Sequence, residues 1–169
     1  MKLVDKQEDG TFGKFFGHPG GESRSKEYVL RMLKEFNFTP EYFEDLILSG
    51  SVSQGEYVTV LQDPLCRAFT QRGWNNKPYY PESNYQADFG YKQDNRWIFV
   101  EIELSDIRRA VNALYMSRVF RTGNMRLGIF IAPESHAPEK SKGFYSSLTK
   151  RYAYLAPDFP LWVIGFELP

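Results

Sequence analysis

The chain has almost none of the residues from which cysteine and histidine sites are built. Its 169 residues include one cysteine, Cys66, and two histidines, His18 and His136. A lone cysteine cannot form an intramolecular disulfide, and Cys66 has no CxxC partner for zinc. The histidines lie far apart on expected loops, and neither belongs to an HExxH motif. These absences argue against a disulfide framework and a zinc site, and they favour a cytoplasmic location.

Long apolar runs and net charge are also lacking. The longest apolar runs, LGIFIA and LWVIGF, are too short to span a bilayer, and the first ten residues lack the apolar core of a signal peptide. We therefore expect a soluble protein with no membrane attachment.

The net charge is +0, which gives no global indication of nucleic-acid binding. Residues 106–126 are nevertheless basic, with five arginines against one acid, Asp106. This is either a binding surface or a solvated helix face.

The glycine-rich segment near the N-terminus is not a phosphate-binding loop. In DGTFGKFFGHPGG, residues 9–21, Phe15 follows Gly13-Lys14 where a phosphate-binding loop requires serine or threonine. The glycines make the backbone permissive, whereas the phenylalanines require a surface to cover. The segment predicts an ordered or partly mobile arm at about residues 5–22.

The rest of the pattern predicts one mixed α/β domain over residues 1–169, without repeats or linkers. Helices are predicted from Ser23, from Pro40, from Asp63, over residues 106–124 and over residues 141–155. Strands are predicted at YQADFGYK, RWIFVEIEL, MRLGIFIAPE and LWVIGFEL, with a strand or irregular edge at EYVTVLQ. The segment NNKPYYPESN is predicted to be a polar loop.

Three acidic residues fall on expected strands, although acids have low strand propensity and are costly to bury. Glu101 and Glu103 share a face, because alternate strand residues point the same way. A four-residue loop from Gln93 to Arg96 places Asp88 opposite Glu101. The pattern therefore predicts three carboxylates on one face of a hairpin.

Close like charges repel, so such a cluster must either protonate one carboxyl or bind a cation. Mg²⁺ takes oxygen ligands and is typically held by one or two carboxylates plus substrate phosphate oxygens. The cluster therefore favours a site for Mg²⁺ or Mn²⁺. The alternative is a solvent-facing side of the strand whose acids pair with arginines.

The order of these features resembles the PD-(D/E)xK nuclease superfamily. A helix is followed by a hairpin bearing Ala87-Asp88, by an E-x-E motif at residues 101–103, and then by a helix and a buried strand ending in proline. The chain is similar to type II restriction endonucleases of the BamHI and BglII type over about residues 63–133. The resemblance implies a restriction-endonuclease-like α/β fold, in which helices flank a mixed β-sheet.

The resemblance also implies roles for individual residues. Asp88 and Glu101 would be metal ligands, and Glu103, at the position of the usual motif lysine, would accept a proton from the attacking water, directly or by orienting that water. Arg108 or Lys92 would supply the missing positive charge.

Two further features of the family have several candidates in this chain. An acid on an upstream helix could be Glu56, Asp63 or Glu82. Contacts to phosphate are expected from Lys92, Arg108 and Arg109, of which the two arginines follow the acidic strand with almost no connecting loop.

The function implied is that of a Mg²⁺- or Mn²⁺-dependent endonuclease that hydrolyses phosphodiester bonds in double-stranded DNA. A homodimer is expected, because cutting both strands of a symmetric site calls for two active sites related by a two-fold axis. One alternative is a catalytically inactive nuclease-like subunit that binds DNA or a protein, which the neutral charge slightly favours. Another is an interaction protein whose aromatic surface binds a partner.

Overall fold

The computed structural model describes residues 1–50, 62–103, 112–136, 141–142 and 144–167. The helices within these ranges are α1 (Glu22–Glu35), α2 (Pro40–Ser49), α3 (Gln62–Gln71), α4 (Asn112–Arg121) and α5 (Phe144–Leu155). The strands are β1 (Lys2–Leu3), β2 (Lys14–Phe16), β3 (Asn75–Asn76), β4 (Phe89–Gln93), β5 (Arg96–Ile102), β6 (Met125–Pro133), β7 (Ser135–His136), β8 (Ser141–Lys142) and β9 (Leu161–Glu167).

The main sheet is mixed. Its strand order is β1-β9-β6-β5-β4-β3, with β2 also paired to β9. The central pairs β5/β6 and β6/β9 are parallel, and the pairs toward both edges are antiparallel. Strands β7 and β8 form a small separate sheet. The predicted α/β class with a mixed sheet is therefore confirmed.

Hydrophobic residues are buried on both faces of this sheet. On one face, residues of α1, α2 and α3 pack with alternate strand residues such as Ile129 and Trp162. On the other face, residues of α4 and α5 pack with the neighbouring strand residues, such as Phe130 and Val163. Both faces of the central strands are covered by helices, which explains why these strands read as continuous apolar runs in the sequence.

The helices begin close to where the sequence places them. Pro40 is the first residue of α2, and the side chain of Thr39 before it accepts a hydrogen bond from the Tyr42 amide at 3.3 Å. For the helix predicted over residues 106–124, the described part is α4, and residues 104–111 lie outside the described ranges. Residues 56–61, which make up the predicted strand EYVTVLQ apart from its last residue, also lie outside the described ranges. None of the described helices is long and apolar enough to cross a bilayer.

The N-terminal arm contributes a strand that the sequence did not indicate. Residues Lys14–Phe16 form β2 on β9, and Phe12 and Phe15 are buried against Trp162. Gly13 has a φ of 77°, and a Cβ at this position would lie 2.3 Å from the Val163 carbonyl oxygen. Glycine is therefore required where the arm crosses the sheet.

The polar loop predicted at NNKPYYPESN contains a short strand, β3, that the sequence did not indicate. Strand β3 pairs with β4, and the pairing continues through a bridge between Tyr79 and Gln86. Backbone hydrogen bonds run from the Lys77 amide to the Asp88 carbonyl at 3.0 Å and from the Tyr80 amide to the Tyr85 carbonyl at 2.9 Å. Proline and asparagine favour turns, so the composition of this segment did not indicate the short strand that precedes its tight turn.

Candidate active site

The β4–β5 hairpin aligns the acidic residues in the predicted register. Gln93 pairs with Arg96, and the turn residues Asp94 and Asn95 have φ values of 50° and 62°, typical of a type I′ turn. The ladder continues to the pair Phe89 and Val100. One position further, Asp88 lies opposite Glu101, so the predicted register is confirmed.

Asp88 lies where the ladder between the two strands ends. Its Oδ2 accepts a hydrogen bond from the Ile102 amide at 2.7 Å, in place of a backbone partner. Its Oδ1 contacts the ammonium group of Lys77. The Asp88 side chain is 19% exposed and that of Lys77 is 46% exposed, so this ion pair lies at the protein surface. Both carboxylate oxygens of Asp88 therefore have a donor.

Glu101 is buried beside it. Only 3% of Glu101 is exposed, and its Oε1 accepts a hydrogen bond from the Tyr80 hydroxyl at 2.5 Å. Burial first, and then the nearby carboxylates of Asp88 and Glu103, raise the pKa of Glu101 to about 8, against the opposing effect of the Tyr80 hydrogen bond. Asp88 is also a hydrogen-bond partner of Glu101. The Glu101 carboxyl therefore retains its proton at neutral pH.

Glu103 follows two positions later and is 2% exposed. Its amide donates to the Ile131 carbonyl at 2.9 Å, which continues the pairing of β5 with β6. The pKa of Tyr152 on α5 is raised, first by burial and then by the charges of Glu103 and Glu101. Both glutamates are thus enclosed under α5, and the alternative of a solvent-facing acidic strand is wrong.

Three of the remaining candidate residues lie in the described part of the chain, namely Lys92, Asp63 and Glu82. The ammonium of Lys92 lies 5.6 Å from the centre of the Trp97 ring. Asp63 is exposed in the first turn of α3, and Glu82 is exposed in the turn that follows Tyr80. Within the described residues, no hydrogen bond or ion pair links Asp63 or Glu82 to Asp88 or Glu101. Three further candidates lie outside the described residues, namely Glu56, Arg108 and Arg109.

The donor set suits a hard cation, although its present contacts do not leave it open. In the described part of the chain, no three histidine, cysteine, aspartate or glutamate side chains are arranged to hold a metal ion as they stand. Asp88 is engaged by Lys77 and by the Ile102 amide, and Glu101 is engaged by Tyr80. The chemistry fits, because two adjacent carboxylates, one of them buried without a full countercharge, provide the oxygen ligands that Mg²⁺ and Mn²⁺ take.

Sequence reasoning missed Lys77 and Tyr80. Both lie in NNKPYYPESN, the segment predicted to be a loop, and both contact a carboxylate of the site. The consecutive tyrosines before the Pro81–Asn84 turn were the available signal, because aromatic residues flanking a turn favour a strand. The segment was short and polar enough for this signal to be overlooked.

The architecture of the chain matches a solved nuclease structure. The crystal structure of restriction endonuclease BglII complexed with a DNA 16-mer matches with a TM-score of 0.58, covering 79% of this chain and 73% of that chain. The chain has a restriction-endonuclease-like fold. The fold expected from the resemblance is thereby confirmed. Because the two sequences are 16% identical, this structural match is evidence for the fold alone. No protein-family model and no curated protein matches the chain.

Proposed function

We propose that this protein is a metal-dependent endonuclease acting on double-stranded DNA. One observation carries the proposal: Asp88 and Glu101 are adjacent on neighbouring strands of a restriction-endonuclease-like sheet, and the pKa of Glu101 is raised to about 8. A strongly raised pKa beside a second carboxylate marks a group whose charged form needs a partner. A divalent cation is the partner that suits two carboxylates.

The residues of the site divide the work. Asp88 and Glu101 would hold Mg²⁺ or Mn²⁺, and the Ile102 amide and the Tyr80 hydroxyl fix their orientations. The ion would supply Lewis-acid stabilisation of charge on the phosphate oxygens and would lower the pKa of a water molecule. Glu103, buried under α5, would accept the proton of the attacking water.

Double-stranded DNA is the substrate proposed, because the matched BglII crystal contains a DNA 16-mer. Lys92, which is exposed on the same hairpin, and the arginines Arg108 and Arg109 are proposed to contact phosphate. Changing the two arginines to alanine should weaken DNA binding and flatten its salt dependence by about one unit of slope per lost contact. An unchanged slope would assign them to another surface.

The decisive experiment is cleavage of supercoiled and linear plasmid DNA with and without Mg²⁺. Asp88→Asn and Glu101→Gln should each lower cleavage about 100-fold or more and weaken Mg²⁺ binding without loss of the fold. Glu103→Gln should lower turnover more than Mg²⁺ affinity. The matched control is Glu44→Gln, which removes one carboxylate from an ion pair with Lys6 on the opposite helical layer.

Two results would contradict the proposal. The parent protein could show neither cleavage nor Mg²⁺ binding, or the Asp88 and Glu101 variants could unfold markedly more easily in the absence of metal. In the second case these acids would be structural partners of Lys77 and Tyr80.

A catalytically inactive DNA-binding subunit is the second candidate. It is favoured by the Lys77 ammonium, which already neutralises Asp88. Salt-dependent binding of duplex DNA without cleavage in Mg²⁺ or Mn²⁺ would support this candidate over the first.

A further inference from the structure

Lys77, Asp88 and Glu101 lie side by side, directly after β3, directly before β4 and within β5, respectively. The Lys77 amide donates to the Asp88 carbonyl at 3.0 Å, and Asp88 lies opposite Glu101 across the hairpin. The backbone of Lys77 is held by a second hydrogen bond, because its carbonyl accepts from the Gln86 side chain at 2.9 Å. A fixed backbone aims the lysine side chain at one end of the carboxylate group.

The backbone conformation of Lys77 is unusual for a lysine. Its φ is 53°, in the left-handed region that residues other than glycine seldom adopt. This conformation interrupts the regular alternation of the strand, and the ammonium reaches Asp88 Oδ1. The side chain is nevertheless 46% exposed, so solvent reaches it without any movement of the core.

The carboxylate of Asp88 has one oxygen bound by the Lys77 ammonium and one oxygen bound by a backbone amide. The second oxygen of Asp88 is engaged by the Ile102 amide, a backbone group fixed by β5. Oδ1 is the Asp88 oxygen that no backbone group engages, and the Lys77 ammonium occupies it. The ammonium and a divalent ion would therefore compete for this oxygen.

We propose that Lys77 is the resident cation of the metal-free site, an inference that rests on the proposed nuclease function. With a divalent ion held by Asp88 and Glu101, the Lys77 ammonium would leave Asp88 and contact a phosphate oxygen of the DNA. A lysine suits both states, because its compact charge sits on a flexible four-carbon stem. Lys77 thereby supplies a positive charge to a site in which Glu103 stands at the position of the motif lysine.

The test compares Mn²⁺ binding to the parent, Lys77→Met and Lys6→Met by calorimetry. Lys77→Met keeps an apolar stem of similar length and removes the competing charge, so Mn²⁺ should bind about fivefold more tightly. Lys6→Met removes one charge from the ion pair with Glu44 on the opposite helical layer and should leave Mn²⁺ affinity at the parent value. Thermal unfolding checks that each variant folds, and Lys77→Gln replaces Lys77→Met if the latter does not.

The second arm measures binding of a labelled DNA duplex in saturating Ca²⁺ over a range of salt. Lys77→Met should bind more weakly than the parent, with a salt slope flatter by about one unit, and Lys6→Met should not. Equal or weaker Mn²⁺ affinity in Lys77→Met overturns the displacement, and an unchanged slope overturns the phosphate contact. If the parent protein binds no divalent ion, the proposed function itself is wrong. The Mn²⁺ titration of the parent tests this separately from the Lys77 variants.

Discussion

The buried carboxyl of Glu101 makes the stability of the metal-free protein depend on pH in a specific direction. In the unfolded chain this group has the ordinary pKa of 4.5, and in the folded protein burial and the neighbouring carboxylates raise its pKa to about 8. Between these values the folded state retains a proton that the unfolded state has lost. The free energy of unfolding therefore falls as the pH rises from 4.5 to about 8.

The size of this effect follows from the two pKa values. The difference between 4.5 and about 8 corresponds to about 5 kcal/mol lost across the window, since one pKa unit is worth about 1.4 kcal/mol. Glu101→Gln removes the effect, because glutamine imitates the protonated acid. Its amide oxygen can accept from the Tyr80 hydroxyl, and its amide nitrogen can donate to Asp88.

The assay is chemical unfolding of both proteins at pH 5, 6, 7, 8 and 9 in the presence of a chelator. The difference in unfolding free energy between Glu101→Gln and the parent cancels the titrating groups that do not interact with Glu101. It should be close to zero at pH 5 and should reach several kcal/mol in favour of the variant at pH 9. The Glu44→Gln control should follow the parent within about 0.5 kcal/mol throughout. A difference between Glu101→Gln and the parent that does not change with pH would refute the reasoning.

Four further results are expected. Mg²⁺ affinity should rise about tenfold per pH unit from pH 6 to 8 by calorimetry, because Glu101 must lose its proton to bind the ion. Tyr80→Phe should lower the unfolding free energy by about 1–2 kcal/mol and move the pH dependence to higher pH, because a hydrogen bond that lowers the pKa of Glu101 is lost. Gly165→Ala should lower the unfolding free energy by about 1–3 kcal/mol in thermal unfolding, because the added Cβ would lie 2.6 Å from the Tyr145 ring. Sedimentation at micromolar concentration should show a homodimer, and a strict monomer with and without DNA would leave only single-strand cleavage.

Local patterns were sufficient for the part of the site that lies on one hairpin. Alternation within β5 placed Glu101 and Glu103 on a common face, and the Asp94-Asn95 turn fixed the register that sets Asp88 opposite Glu101. A two-residue turn leaves almost no freedom in the pairing of its arms, so the neighbours of each residue can be counted from the turn outward.

The partners of these carboxylates could not be found in the same way. Tyr80 is 21 residues from Glu101 along the chain, and its hydroxyl reaches the carboxylate through the packing of a third strand beside the hairpin. That strand is short and rich in proline and asparagine, so its own sequence favours a loop. The arm strand β2 was missed for a similar reason, because β9 supplies its hydrogen bonds from the far end of the chain.

The placement of Glu101 and Glu103 is difficult to explain by stability alone. Val100 and Ile102, their neighbours in β5, show which residues the other face of the same strand accepts, since both are packed in an apolar core. A buried acid whose pKa is raised to about 8 instead makes the protein less stable at neutral pH than an apolar residue of the same volume would. The Tyr80 hydrogen bond reduces this penalty without removing it, because a neutral hydroxyl contributes no full charge to the buried carboxyl. A cation that enters beside Asp88 and Glu101 would remove the penalty, so metal binding should stabilise the folded protein once Glu101 has lost its proton.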